Sequence, residues 1–344
     1  MADAEQATGE QVQAAAAEAA PAAGALPPFA ALLKSRDVED PINIWMHRPL
    51  AYAIVAAVYR TSITPNQITL LALVVGVAAG VCFFVGTPAA MIAGGILLWS
   101  SAILDGADGI LARAKRMFSD LGRALDGSAD GIVALATVPV AFYHLWLQHH
   151  SYLELALMPL AIGLSLFHIY LYDYYKEAYL QHTNPSWNGE PERLAEVEAR
   201  AQRLQAAGAP WVERAASATY VDLLKAQIGV VSRLNPAARR HHLTFPVSPE
   251  SVRIYRKFNY GPMQLWAFIS LAPHSYLMSI CAMFDRLDVY LWLRVFGANA
   301  VFLWACLWQR VATRRTNQAL ADAQLAPFES PGASQRAFGP DRGR

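Results

Sequence analysis

The stretch TSITPNQITLLALVVGVAAGVCFFVGTPAAMIAGGILLWSSAIL, residues 61–104, runs for 44 residues without one Asp, Glu, Lys or Arg. A helix crosses the hydrocarbon core of a bilayer with about 20 apolar residues, so this stretch is too long for one crossing and long enough for two. Gly86-Thr87-Pro88 divides it into span one, at 67–85, and span two, at 89–105. Uncharged blocks recur at 131–153, 155–172 and 258–284. They predict span three at 130–148, span four at 154–173, span five at 260–284 and span six at 288–309. The fold class is therefore an all-α integral membrane protein with six transmembrane helices.

Composition agrees. Charged residues make up 16% of the 344, against about 25% in an ordinary soluble protein. A soluble enzyme, a fibrous protein and a fully disordered chain are excluded. A net charge of +1 speaks against a nucleic-acid partner, which would require a strongly basic face. The three cysteines, Cys82, Cys281 and Cys306, all fall in apolar blocks, where they make no disulfide framework.

Around the spans the chain divides as follows. Residues 1–36, rich in Ala, Glu, Gln and Pro, read as a disordered tail and lack the pattern of a signal peptide. Residues 37–173 hold an N-terminal interfacial helix, at 41–62, and spans one to four. The interfacial helix is apolar but carries Arg48 and Arg60. Residues 174–257 are a helical insertion between spans four and five, with helices expected before Gly208 and from Trp211 to Gln227. Residues 258–310 hold spans five and six, and 311–344 a flexible basic tail. Lys and Arg crowd the 106–129 segment, the insertion and the C-terminal tail, and are nearly absent from the loops at 86–88, 149–153 and 285–287. The positive-inside rule then places both termini, the insertion and the 106–129 segment in the cytoplasm, and the protein in the cytoplasmic (inner) membrane of the cell.

The 106–129 segment and its flanks read DGADGILARAKRMFSDLGRALDGSAD, Asp105 to Asp130. Asp105 and Asp108 share a helix face at the end of span two, and Asp126 and Asp130 share one at the start of span three. If the faces meet, four carboxylates converge at the membrane boundary, which is costly unless positive charge joins them. Arg113 and Lys115 are available, but an oxygen-only ligand set suits Mg²⁺ or Mn²⁺, and four Asp suffice for two such ions on a phosphate or pyrophosphate. Gly109 and Gly122 allow close approach of a ligand or a helix backbone. Arg113 offers a bidentate fork for phosphate oxygens.

This run resembles the signature of the CDP-alcohol phosphotransferase (CDP-alcohol phosphatidyltransferase) family, D-x2-D-G-x2-A-R-x8-G-x3-D-x3-D. Asp105, Asp108, Gly109, Ala112, Arg113, Gly122, Asp126 and Asp130 occupy its fixed positions. The phrase Thr64-Pro65-Asn66-Gln67-Ile68-Thr69 resembles the start of the family's first span. The likeness covers residues 40–150 and departs from the compact bacterial members in the long insertion. It implies a six-helix membrane homodimer with a polar cavity open to the cytoplasm. It also implies metal ligation by Asp105, Asp108 and Asp126, with Asp130 at the metal site as the general base. Asn66, Thr69, Gly109, Ala112, Arg113, Ser119 and Gly122 would bind the CDP-alcohol donor. No motif marks the acceptor site.

The implied reaction is attack by an alcohol or polyol phosphate acceptor on the β-phosphorus of a CDP-alcohol, releasing CMP. CDP-diacylglycerol is the leading donor, which places the protein in phospholipid biosynthesis; the alternative is a CDP-polyol such as CDP-inositol. A cation transporter using the Asp cluster is the remote alternative, but it would favour acids near the bilayer midplane and inverted repeats. Here the acids sit at span ends and no repeat is visible. Among other residues, His149-His150 and His241-His242 are weak metal candidates, since helix neighbours do not share a face. His168 and His274 read as inter-helix hydrogen-bonding groups. Asn299 and Arg294 are candidates to line a cavity, and Tyr172, Asp173 and Lys176 to face the acceptor.

Overall fold

The computed structural model describes residues 26–33, 35–118, 120–184, 194–238 and 247–325. Among the described residues there is no strand, and six helical segments are long and apolar enough to cross a membrane. The elements are α1 (Phe29–Leu32), α2 (Arg48–Val58), α3 (Pro65–Val85), α4 (Pro88–Lys115), α5 (Asp120–His149), α6 (Tyr152–Thr183), α7 (Leu194–Ala206), α8 (Trp211–Leu234), α9 (Pro249–Phe268), α10 (Leu271–Met283), α11 (Leu287–Trp292) and α12 (Ala298–Asp322). Short π-helical turns at Asn43–His47 and Leu293–Gly297 lead into α2 and α12.

Local chemistry sets the first boundaries. The Thr64 backbone N–H donates to Gln67 Oε1 at 2.9 Å, and Pro65 opens α3 with its pre-set φ. Gly86, at φ +67°, ends α3 in the left-handed conformation that glycine adopts without strain. Thr87 Oγ1 then accepts from the Ala90 N–H, and Pro88 opens α4.

Two compact units emerge. The first comprises residues 1–164 and 270–298. Its core joins Phe83, Met91, Leu98, Phe142, Leu145, Tyr290 and Leu291. A second cluster of Ala51, Val55, Ile68, Ile110 and Leu111 seats α2 against the motif-bearing end of α4. Helices approach closely through small residues, as in membranes generally: Ser101 Oγ donates to the Ala72 carbonyl at 2.8 Å, and a Cβ on Gly95 would stand 2.6 Å from the Ser279 carbonyl. The outer faces of the spans keep Leu70, Val74, Val81 and Phe84 exposed, as lipid contact requires.

The second unit comprises residues 165–269 and 299–344. Its centre is aromatic and amide-rich. Tyr175 stacks on the fully buried Trp266, and His182 on Tyr255, each at 4.7 Å between centroids. A buried ladder links α9 to α12: Gln309 Nε2 donates to Asn259 Oδ1 at 2.9 Å, and Asn259 Nδ2 to Thr316 Oγ1 at 2.8 Å. Asn235 Nδ2 donates to Thr313 Oγ1 at 2.9 Å. Side-chain hydrogen bonds of this kind hold helices together where lipid supplies no hydrophobic drive.

The helices run past the expected span ends. Span two continues as helix to Lys115, span four to Thr183 and span six to Asp322, and span five begins at Pro249. Residues 311–322, expected in the basic tail, are thus helix; residues 326–344 lie outside the described part. Residues 26–33, expected in the N-terminal tail, are packed: Leu32 is buried, Tyr52 Oη donates to the Pro27 carbonyl at 3.1 Å, and Phe29 meets the Tyr52 ring edge-on.

Candidate active site

The motif stands on two helix ends of the first unit, Asp105 to Arg113 on the last turns of α4 and Gly122 to Asp130 on the first turns of α5. Asp105, Asp108, Gly109 and Ala112 recur at three- and four-residue spacing, one stripe of α4. Gly122, Asp126 and Asp130, four apart, form one stripe of α5. The 106–129 stretch is therefore largely helical, which keeps each set of motif residues in fixed register.

Asp108 is buried, and the hydroxyl of Thr69, on the second turn of α3, donates to its Oδ2 at 2.5 Å. Span one and the motif thus meet at a direct side-chain hydrogen bond. Thr69 is itself buried, so the pair is withheld from water. Asn66 is half-buried one turn earlier on α3. Lys115 fixes this end of α3 to α4, donating through Nζ to the carbonyls of Thr61 at 2.8 Å and Ile63 at 2.7 Å.

Arg113 donates through Nε to the Leu32 carbonyl at 2.6 Å. That anchors α1 on the motif and fixes the guanidinium. A Cβ on Gly109 would meet only that guanidinium, at 3.5 Å. That is ordinary contact with the end of a flexible side chain, so helix packing does not demand Gly109. Three residues earlier, Arg48 reaches the Gly106 carbonyl at 3.5 Å while holding Glu39 through Nε at 2.9 Å and Nη2 at 2.8 Å. The sequence marks Arg48 only as a charge on the interfacial helix and does not mark Glu39 or Leu32; the bonds from Arg48 to Glu39 and Gly106 and from Arg113 to Leu32 join positions 9 to 81 apart, and no spacing reveals them.

Ser119 lies outside the described residues, as does the side chain of Asp126. Among the described residues no group of three or more His, Cys, Asp and Glu side chains is arranged for a metal ion. The donor set nonetheless fits a hard divalent cation: Asp105 and Asp108 offer only oxygens from one helix face, and Asp108 is a carboxylate buried at a helix end.

The family model described as CDP-alcohol phosphatidyltransferase matches residues 62–193. These residues form a CDP-alcohol phosphatidyltransferase domain. The phosphatidyltransferase domain thus takes in Asn66, Thr69 and all eight signature positions, together with spans one to four. A relative, the "Bifunctional IPC transferase and DIPP synthase" of Thermococcus kodakarensis, is 39% identical over 84 residues, 22% of this chain and 18% of the relative. The match spans about a fifth of that curated protein's length.

The other singled-out residues separate. His274 shares a hydrogen bond with the Tyr290 hydroxyl, Nδ1 to Oη 2.6 Å, inside the first unit. His149 pairs with Glu154 at 2.9 Å. Arg294 is buried rather than reaching toward an interface. Lys176 is occupied by Asp173 at 2.7 Å and lies over the Tyr172 ring. His241 and His242 lie outside the described residues.

Proposed function

We propose that this protein transfers the phosphoalcohol group of a CDP-alcohol to an alcohol acceptor and releases CMP. The observation that carries the reading is the complete signature on two helix ends of a phosphatidyltransferase domain, with its second aspartate buried against Thr69 of span one. CDP-diacylglycerol is the donor favoured by the lipid setting of the spans. A CDP-polyol such as CDP-inositol is the second reading. It is favoured by the stretch that matches the Thermococcus kodakarensis IPC transferase and DIPP synthase.

In this reading Asp105, Asp108, Asp126 and Asp130 hold two divalent cations, Mg²⁺ or Mn²⁺, a dependence general in the family. Bound there, the cations polarise the pyrophosphate and offset charge on the departing CMP. Thr69 orients the Asp108 carboxylate. Arg113 receives phosphate oxygens, Gly109 leaves room for them beside the helix, and Asn66, Ala112, Ser119 and Gly122 border the cytidine. Asp130 takes the acceptor's hydroxyl proton as its oxygen attacks the β-phosphorus, where general-base help typically contributes 10²–10⁴-fold. The Lys/Arg distribution supports a motif end and both termini facing the cytoplasm, and the family resemblance supports a homodimer.

The test supplies membranes carrying the protein with labelled CDP-diacylglycerol or CDP-inositol and a panel of alcohols and polyol phosphates. CMP release that stops in excess chelator and returns with Mg²⁺ or Mn²⁺ is expected. Release undiminished by chelator would remove the two-cation reading, and no release from either donor would remove the transferase reading.

A further inference from the structure

Helix α8, in the insertion, touches two spans within the second unit. Gln227 Nε2 donates to the Tyr170 carbonyl at 2.7 Å, and the Tyr170 hydroxyl donates to the Leu223 carbonyl. Eleven residues on, Arg310 donates through Nε to the Leu234 carbonyl and through Nη2 to the Arg233 carbonyl at 3.4 Å. Tyr170 is the nineteenth residue of the span that opens at Tyr152, and Arg310 the twenty-fourth of the span that opens at Leu287. At 1.5 Å per residue these lie about 27 and 35 Å along their helices, either side of the roughly 30 Å of a hydrocarbon core. Both tethers therefore lie at the boundary where spans four and six leave the lipid. A helix fixed at two such points, eleven residues or about 16 Å apart along its axis, lies closer to the membrane plane than to its normal.

Its rotation is fixed as well. Gln227 faces span four, and Leu223, Tyr220 and Ala216 precede it by 4, 7 and 11 residues, one helical stripe, with Val212 a turn further. Val212, Tyr220 and Leu223 are 55%, 45% and 52% exposed, and Ala216 is exposed. The opposite side is occupied differently: Lys225 pairs with Glu198 of α7 at 2.8 Å, and Val221 and Val197 are buried. Arg214 and Asp222 stand on that side too, and Glu213 stands at the stripe's edge in the first turn. On span four, Leu166, one turn before Tyr170, is 63% exposed. The apolar stripe thus continues a lipid-facing surface of the same unit.

We propose that the Val212–Ala216–Tyr220–Leu223 face of α8 is a lipid-surface contact. The α7–α8 hairpin rests on the headgroup layer with α8 half-sunk at the boundary and α7 on its water side, the geometry of an interfacial amphipathic helix. The proposal does not depend on the transferase reading.

The test uses the full chain in nanodiscs of phosphatidylcholine and phosphatidylglycerol, with an environment-sensitive fluorophore on Ala216→Cys, Val212→Cys or Asp222→Cys. Each is read against the protein without the added cysteine, since Cys82, Cys281 and Cys306 are present. Labels at 216 and 212 are expected to be quenched severalfold more by lipids spin-labelled near the top of the acyl chain than the label at 222. A water-soluble nickel chelate should show the reverse order. Equal quenching of all three by the chelate would overturn the proposal. So would a label at 216 shielded from both quenchers together with a disulfide that joins two copies of the unlabelled Ala216→Cys variant, which assigns the face to a second copy.

Discussion

At the end of the first unit that carries the turns at 150–151 and 284–286, polar groups are matched side chain to side chain. His144 Nε2 meets Asp285 Oδ1 at 3.1 Å, His149 meets Glu154 at 2.9 Å, and Arg286 forks onto Asp288 at 2.9 Å. Gln148 adds a hydrogen bond to Asp285 at 2.9 Å. At the motif end Arg48 is also paired, with Glu39, but two cations do something else: Arg113 is bonded to the Leu32 carbonyl, and Lys115 to those of Thr61 and Ile63. One end uses its side-chain pairs to close turns. The other uses its basic groups to fix backbone around a carboxylate and a glycine that packing does not require. That contrast separates side chains that pair with one another from basic groups that hold backbone beside the signature residues.

Substitutions at the two ends should therefore fail differently. Gly109→Leu fills the space beside Arg113 and should abolish most donor binding, measured as affinity for CMP or the CDP-alcohol, while the melting temperature in detergent holds. Early melting with normal nucleotide affinity would make Gly109 a packing residue after all. Thr69→Val removes the hydroxyl that orients Asp108. A hydrogen bond to a charged group is worth about 1.5–3 kcal/mol, so CMP release should fall at least tenfold, and unchanged release would contradict the role given to Thr69.

His47 sharpens the comparison from the α2 side. It is buried between the rings of Trp99 and Tyr276. Burial, helped by the Arg48 guanidinium, holds its imidazole down at about 4. An unfolded histidine titrates near 6.5, so the unfolded chain binds the proton first as pH falls. The stabilisation from neutral His47 is complete above about pH 6.5 and is lost toward pH 4, at most about 3 kcal/mol. Asp40, which accepts from Asn43 N–H and Tyr276 Oη, has the opposite trend, because burial raises its pKa. Comparing wild type with His47→Phe isolates the histidine: melting of the wild type should fall more steeply between pH 7 and pH 5, and parallel slopes would contradict this. The smallest effect belongs to the far end. His144→Ala should lower stability by about 1 kcal/mol and leave CMP release intact; loss of release at unchanged melting would dissolve the distinction between the ends.

The sequence disclosed what is local. Gly86-Thr87-Pro88 marked the break between spans one and two because a left-handed stop, a hydroxyl cap and a proline start are written in adjacent residues. The spacing of the aspartates placed them on shared helix faces for the same reason. Span ends were less legible. Hydropathy reports where lipid stops, whereas Asp105–Lys115 and Tyr174–Thr183 are polar yet helix-compatible, so the helices continue past the lipid. Contacts such as Leu32 with Arg113, or Arg48 with Gly106, join positions 81 and 58 apart. Nothing in the composition of an Ala-rich N-terminal stretch announced that Leu32 would be buried.

The central claim is that the motif end performs a transfer in which Asp130, on the first turns of α5, takes the acceptor's proton. CMP release by purified Asp130→Asn, measured beside its affinity for the CDP-alcohol, tests it most directly. Turnover reduced at least a hundredfold, in the range set by general-base catalysis, with donor affinity largely kept is the predicted result. Release at the wild-type rate would contradict it.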